Sequence, residues 1–506
     1  MSSPSVPAQG KPSTDGRLTN GQASLSTHYV RYSISNGAVM LLGFISFPIL
    51  TRLLDNAEFG VLKYYDTLML LGVALVKFGA PHAIVRFYPY DRDPDQMRAF
   101  GTNLVFLPLV LSVTLWAIGA IFLVVVQTWL GGDFHPLFWF ALMLVPLLAT
   151  TNIVQMVIRA SERSDLLMSN RIIARVLELV FVLCAVILLQ QSALAVYGGK
   201  ILAAALVLAW LGRWMYRNVT ISRDAINLKD FKNGLIYGSP LMANELAGGV
   251  LANLDRVLIR FITGDFSMVG IYAIGYALAM QLNVFLNATL SEAFTPVVTR
   301  TYEQGGGDEV RALKSKVLLP MTYAVGAIVA MLVVSGHDVL IALSGRDKGA
   351  SGDVFVVVGV TLSLYALFAI CNYGLQLKKR TMQVLSITAV AALLNVGLNF
   401  LMIPRMGYMG AAWATAISYA ALCLAQFLAC PKGLAQLPGL KNVLIAAGCG
   451  LLLIGVARGV DMFGIQNAWG RLLVAAILFV VLYAIPVLMM DPRMRQMAMK
   501  IGRRPL

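Results

Sequence analysis

Fourteen apolar stretches of about 20 residues follow one another from residue 30 to residue 490. Each has about the length of helix that crosses roughly 30 Å of hydrocarbon. This succession constrains the chain more than any motif does. The stretches lie at 30–52, 61–83, 100–127, 136–158, 171–190, 194–213, 233–255, 267–290, 316–343, 353–376, 382–403, 407–429, 441–458 and 471–490; the second carries charges and the last two are short. In hydrocarbon every backbone polar group must be bonded internally, which a helix does within one segment. The fold class is therefore all-α, a polytopic membrane protein of about 14 transmembrane helices. Composition points the same way: 58% of residues are hydrophobic and 13% charged, against about 45–50% and roughly 25% in soluble domains.

Residues 1–27 are Ser, Gly, Pro, Gln and Thr with almost no large apolar side chains. Such a segment cannot bury enough surface to offset its ordering entropy, and 1–28 reads as a disordered tail. The first apolar run begins too late for a signal peptide. Of the 40 Lys and Arg, 29 fall in the termini and even-numbered loops, nine in the odd-numbered loops, and Lys77 and Lys200 inside helices. Basic residues accumulate in cytoplasmic loops, so both termini and the basic tail at 491–506 are expected in the cytoplasm. This placement accounts for much of the net charge of +15 without nucleic acid. Trp129 and Trp469 on the outer side, and Trp210 and Trp214 on the inner, sit where interfacial aromatic belts form. The five cysteines and four scattered histidines have neither metal-ligand spacing nor a disulfide framework, so no metal or cofactor is expected. No loop exceeds about 25 residues and no nucleotide-binding P-loop is present. These features suit a transporter or a scaffold rather than an enzyme.

An internal repeat divides the chain. Residues 55–66 (DNAEFGVLKYYD) and 265–276 (DFSMVGIYAIGY) each place an acidic residue five positions before a Gly that opens a helix, and Gly60 and Gly270 are 210 residues apart. Tyr197-Gly198-Gly199 and Met409-Gly410-Ala411 open the sixth and twelfth stretches about 212 apart. Two six-helix halves plus two further helices follow: 29–217, a linker at 218–232, 233–430, and the extra pair at 431–490. Six being even, the halves enter from one side and the repeat is parallel.

The segment Asn36 to Pro89, NGAVMLLGFISFPILTRLLDNAEFGVLKYYDTLMLLGVALVKFGAPHAIVRFYP, resembles the opening of bacterial oligosaccharide-lipid flippases of the Wzx type. So do Leu254 to Ala279, LDRVLIRFITGDFSMVGIYAIGYALA, and Leu398 to Tyr419, LNFLMIPRMGYMGAAWATAISY. These flippases belong to the multidrug/oligosaccharidyl-lipid/polysaccharide exporter superfamily. The resemblance implies two six-helix lobes around a central cavity in a bacterial inner membrane. It also implies movement of a polyprenyl-pyrophosphate-linked oligosaccharide, an O-antigen or exopolysaccharide repeat unit, from the inner to the outer leaflet. Its partners would be membrane lipids and polysaccharide polymerase and chain-length proteins. Fourteen helices is nearer the lipid II flippases, but the first helix here is uncharged between Arg31 and Arg52, unlike the charged first helix expected of those. A drug antiporter, a lipid II flippase and a non-transporting scaffold remain as alternatives.

Ionisable groups within a bilayer face a cavity or a partner. Asp66 and Lys77 share a face of the second helix about 16 Å apart at 1.5 Å per residue, too far to pair. Lys77 either snorkels to the headgroups or faces a pyrophosphate in the cavity, and Arg86 beyond it reads as an interface anchor. Glu178 can pair with Arg175 or Lys200, or couple an ion. In the seventh helix Glu245 and Arg256 share a face, as do Asn244 and Asp255, beyond a break expected at Gly238-Ser239-Pro240. Asp255-Arg256 reads as a pair at the outer interface, and Glu245 as a cavity or coupling residue. Tyr272, Tyr276, Asn283, Asn287 and Ser291 form one polar stripe at helical spacing, either a sugar-binding face or interhelical hydrogen bonding. Asn395 and Asn399 favour the latter, and Gly407 with Gly410-Ala411-Ala412 favours close helix packing.

Overall fold

The computed structural model describes residues 25–502 apart from 92, 130, 132–133 and 462–466. Among the described residues the regular structure is entirely helical. The long helices are α1 (Leu25–Leu53), α2 (Asn56–Val76), a short α3 (Ala80–Arg86), α4 (Pro94–Trp129), α5 (Pro136–Ala160), α6 (Ser164–Leu188) and α7 (Ala193–Asn218). They are followed by α8 (Leu228–Asn253), α9 (Asp255–Thr263), α10 (Phe266–Ser344), α11 (Ser351–Cys371), α12 (Thr381–Met406) and α13 (Tyr408–Ala429), then α14 (Leu440–Asp461), α15 (Ala468–Met490) and α16 (Pro492–Gly502). Eleven described helical segments are long and apolar enough to cross a membrane. Of the other three expected spans, α1 has Gly37–Leu53 as a shorter apolar segment. The 25-residue α6 and 26-residue α8 carry Arg171, Arg175 and Glu178, and Lys229, Asp230, Lys232 and Glu245, respectively. The chain is a multi-pass membrane protein.

Local chemistry sets the boundaries. Asp55 caps α2 through the Glu58 amide (2.7 Å) and Asp265 caps α10 through the Ser267 amide (2.7 Å), satisfying orphan N–H groups. These are the two acidic residues of the sequence repeat. The expected helix at 61–83 is instead two helices: Phe78 (φ 44°) and Gly79 (φ 72°) are left-handed, and Pro81 then starts α3. Lys77 is thus the cap residue of α2 rather than a mid-helix group. Conversely, Gly238-Ser239-Pro240 does not interrupt α8. Proline there forfeits one backbone bond, which a membrane helix tolerates; the interruption falls at Leu254, between α8 and α9. The expected loop after residue 290 is also helical. Both arms of the 79-residue α10 meet at Gly306, whose φ of 70° and ψ of −156° suit glycine. Residues 1–24 of the expected tail lie outside the described residues, Leu25–His28 are helical, and α16 occupies most of the basic tail.

Helices α1, α2 and α4–α7 pack on one another, as do α8–α13. The two sets meet chiefly along α2 and the first arm of α10, with a large shared core. The extra pair α14 and α15 builds its own apolar cluster on the second arm of α10, where Tyr323 donates to Asp491 (3.0 Å) and Tyr483 to the Tyr323 carbonyl (2.8 Å). At the start of α2 and α10 the repeat glycines meet. A Cβ on Gly60 would collide with the Phe266 carbonyl, and one on Gly270 with the Asn56 carbonyl. Asn56 and Phe266 are themselves 210 apart, so the contact is reciprocal, as at an isologous interface. A local two-fold axis passes between the two glycines.

Candidate functional site: a basic cavity between two sets of helices

The first group of charges lies inside the N-terminal set. Lys63 and Asp66 are one turn apart on α2, and Tyr197 and Lys200 are one turn apart on α7. Asp66 joins all of them: Lys200 Nζ is 2.6 Å from Oδ1, Lys63 Nζ is 3.1 Å from Oδ2, and the Tyr197 hydroxyl donates to Oδ1 at 3.0 Å. On α6, Arg175 reaches Glu178 (2.9 Å) and Ser46 of α1 (3.4 Å). Two cavities of about 140 and 320 Å3 share Glu178 and Lys200 in their walls. The first also has Lys63, Arg175 and, from α10 of the other set, Gln281. Five ionisable groups with a formal net charge of +1 thus line a partly exposed region together with Ser46, Thr151, Asn152, Gln155 and Gln281.

Two closures flank this region. At the Gly60–Gly270 end, Arg52 of α1 donates to the carbonyls of Leu343 (2.8 Å) and Ala342 (2.7 Å). At the opposite end, Lys77 Nζ lies 2.6 Å from Glu245 Oε1, and His82 Nε2 lies 3.8 Å from Glu245 Oε2. Gly79 and Gly238 touch backbone to backbone beside them, and Phe87 meets Tyr237 edge-on. The Lys77 side chain is 10% exposed and ion-paired to Glu245 of α8, next to the break after α2.

The C-terminal set holds a different arrangement. Asp255 is fully buried and accepts from Tyr272, from Asn399 Nδ2 (2.8 Å) and from Thr415 Oγ1 (2.8 Å). The expectation of an interfacial Asp255-Arg256 pair fails. Both are buried, and Arg256 bonds Asn253 (2.9 Å) and stacks over Tyr276 at 4.7 Å. The interruption at Leu254 puts Arg256 on α9, a different helix from the one that carries Glu245. Tyr272 thus bonds within the core, joining α9, α10, α12 and α13, and buried Tyr276 packs under Arg256. Asn283 is half-buried near the Met280 sulfur, and the side chains of Asn287 and Ser291 lie outside the described residues. Among the described residues no group of three His, Cys, Asp or Glu is placed to hold a metal.

A family model described as "Polysaccharide biosynthesis protein" matches residues 29–302, more than half of the chain. The chain belongs to that family. A curated relative, the "Probable multidrug resistance protein NorM" of Caulobacter vibrioides (strain ATCC 19089 / CIP 103742 / CB 15), is 26% identical over 226 residues. That match covers 41% of this chain and 47% of the relative, so the chain spans about half the length of the curated relative it matches. In fold, the chain is similar to "Lipid II flippase MurJ, inward closed conformation" (TM-score 0.72, 11% identity, covering 92% of this chain and 99% of that one). It is also similar to an inward-facing multidrug resistance MATE family transporter of the MOP superfamily (TM-score 0.58, 15% identity, covering 87% and 97%). The chain thus has the fold of these transporters.

The structure joins Asp66 to Lys200, Lys77 to Glu245, and Glu178 to Arg175, and leaves Arg256 with the tyrosines. Sequence reasoning missed Lys63, Tyr197, His82, Gln281 and Thr415. For Lys63 and Tyr197 a signal existed: each lies three residues from an expected site residue on the same helix.

Proposed function

We propose that this protein is a flippase that moves a polyprenyl-pyrophosphate-linked oligosaccharide from the cytoplasmic to the outer leaflet of a bacterial inner membrane by alternating access. The carrying observation is the basic cavity: Lys63, Arg175 and Lys200 line one space between the two sets of helices. A pyrophosphate is the group on such a lipid that these cations suit, since charge-assisted bonds to anions are short and strong. The pyrophosphate enters by displacing Asp66 and Glu178 from their cations, while the prenyl tail stays in lipid. With both termini cytoplasmic, the Gly60–Gly270 contact closes the outer end and the Lys77–Glu245 pair the inner one. Outward movement of the anion is favoured by an inside-negative potential, at about 2.3 kcal/mol per charge per 100 mV. Membrane lipids are the surroundings of this cycle, and polymerase and chain-length proteins the partners that would receive its product.

The test is complementation of a strain lacking its own copy, read as surface polysaccharide and as lipid-linked oligosaccharide retained inside. Lys200→Ala at equal protein level should export at least roughly tenfold less, the loss of one charge-assisted contact of about 1.5–3 kcal/mol. The Caulobacter relative's name favours a second reading, drug antiport. If deletion changes drug susceptibility and leaves the polysaccharide and its precursor untouched, that reading replaces the first.

A further inference from the structure

The chain joining the two sets is not slack. The segment 219–227 runs from the end of α7 to Asn227, the cap residue of α8, and is laid along α4 where that helix widens into a π-turn at Gly101–Phe106. The extra residue of a π-turn rotates the side chains that follow it, and such turns mark functional positions. Here it presents Thr102 and Asn103, both buried, to the passing segment. Thr102 Oγ1 accepts from the Ser222 amide (3.1 Å) and donates to the Ser222 carbonyl (3.3 Å). Asn103 donates to the Ala225 carbonyl (2.8 Å) and accepts from the Asn227 amide (2.8 Å). Gly101 leaves room for the Thr220 carbonyl, which a Cβ would strike. Thr220, Ser222, Ala225 and Asn227 are thereby held against α4 up to the first turn of α8.

We propose that 219–227 is an inextensible strap belonging to the N-terminal set, with Asn103 as its positioning residue, and that Asn227 is the pivot about which the C-terminal set turns. A pivot at Asn227 leaves Gly238 and Glu245 on a lever of eleven and eighteen residues, about 16 and 27 Å of helix. A small rotation there separates Gly238 from Gly79 and Glu245 from Lys77, while the strap itself does not move. The inference rests on the alternating-access reading but not on its cargo.

The experiment locks each contact covalently, in membranes, on a Cys184→Ala background, since Cys184 is the exposed cysteine and Cys371, Cys423, Cys430 and Cys449 are buried. A Thr102→Cys, Ser222→Cys disulfide should leave export within about twofold of the reduced protein, whereas a Lys77→Cys, Glu245→Cys disulfide should lower it at least tenfold, reversibly on reduction. Asn103→Ala should lower export about tenfold at unchanged protein level, and the strap disulfide should restore it. Equal loss with either lock, or a strap disulfide that does not form in the folded protein, overturns the pivot. So does tolerance of a four-residue Gly-Ser insertion between Asn227 and Leu228 that matches tolerance of the same insertion after Asn218. Spin-label distances across 103 and 225, fixed while those across 77 and 245 vary, report the pivot even if the exported molecule is not a glycolipid.

Discussion

Lys77 and Glu245 are 168 residues apart and form an ion pair of 2.6 Å that joins the two sets of helices. The pair is uneven: the Lys77 side chain is 10% exposed and that of Glu245 43%. Removing the carboxylate strands a buried ammonium, which costs several kcal/mol when fully desolvated. Solvent at Glu245 reduces that to about 1–2 kcal/mol. Glu245→Gln should therefore loosen the inner end and lower export by roughly tenfold. Lys77→Arg should keep part of the activity, and the exchange Lys77→Glu with Glu245→Lys should recover more than either single change. Surface polysaccharide at matched protein level is the measurement. An exchange no better than its single variants would show that these positions act separately.

Asp66 serves three donors at once, so its loss has a structural and a functional reading that can be parted. Asp66→Asn leaves Lys63 and Lys200 facing each other with no negative partner in a half-buried site. With solvent at Lys63, a decrease in stability of about 1–3 kcal/mol is expected, visible as a lower Tm in detergent. Asp66→Asn combined with Lys63→Met removes one excess charge and should regain about half of that loss. Lys200→Ala alone should cost less stability but more export, because the cation is what the cargo needs.

Gly60 and Gly270 test the packing at the other end. The Cβ of Gly60→Ala meets backbone, not a flexible side chain, so the helices must part. Overpacking of this kind costs about 1–3 kcal/mol. Gly60→Ala should lower Tm and open the outer end, whereas Gly248→Ala on α8, with nothing within 4 Å of its Cβ, should change neither.

Much of this fold is legible in the sequence because bilayer thickness fixes helix length. Nine of the expected stretches coincide with observed helices to within five residues at both ends, and the repeat pointed to Asp55, Asp265, Gly60 and Gly270. What failed failed for one reason. Hydropathy reports where lipid is, not where a helix ends, so Lys314 fell between two expected stretches although it lies in a helix. Lys314 is fully buried, donating to the carbonyls of Cys371 (3.0 Å) and Leu434 (2.6 Å). The site was half legible for the same reason. Asp66, Lys77, Lys200 and Glu245 stand out as charges in apolar runs, but which of them pair depends on interruptions at Phe78 and Leu254 that no periodicity announces.

The buried network around Asp255 predicts a purely structural cost. Thr415→Val keeps the shape and removes one of the three donors to a buried carboxylate, at about 1–3 kcal/mol. A lower Tm with intact protein insertion is the expected result. An unchanged Tm would mean that Tyr272 and Asn399 suffice.

The last prediction concerns access to the cavity. Gln281 lies on the first arm of α10 and lines the space that holds Lys63, Arg175 and Lys200. Both closures are in place in this structure, so water reaches Gln281 from outside only when the Gly60–Gly270 end opens. On a Cys184→Ala background, Gln281→Cys should react slowly with a small membrane-impermeant thiol reagent added outside, and faster when Gly60→Ala is added. Cysteines at Asn56 and Asp265 sit just before the two repeat glycines. A crosslink between them should hold the starts of α2 and α10 together, slow labelling of Gln281→Cys at least fivefold and stop export, with both effects reversed by reduction. Labelling and export unchanged by an efficient crosslink would leave the cavity without an outer opening at this place, and would turn the reading from a flippase towards a scaffold.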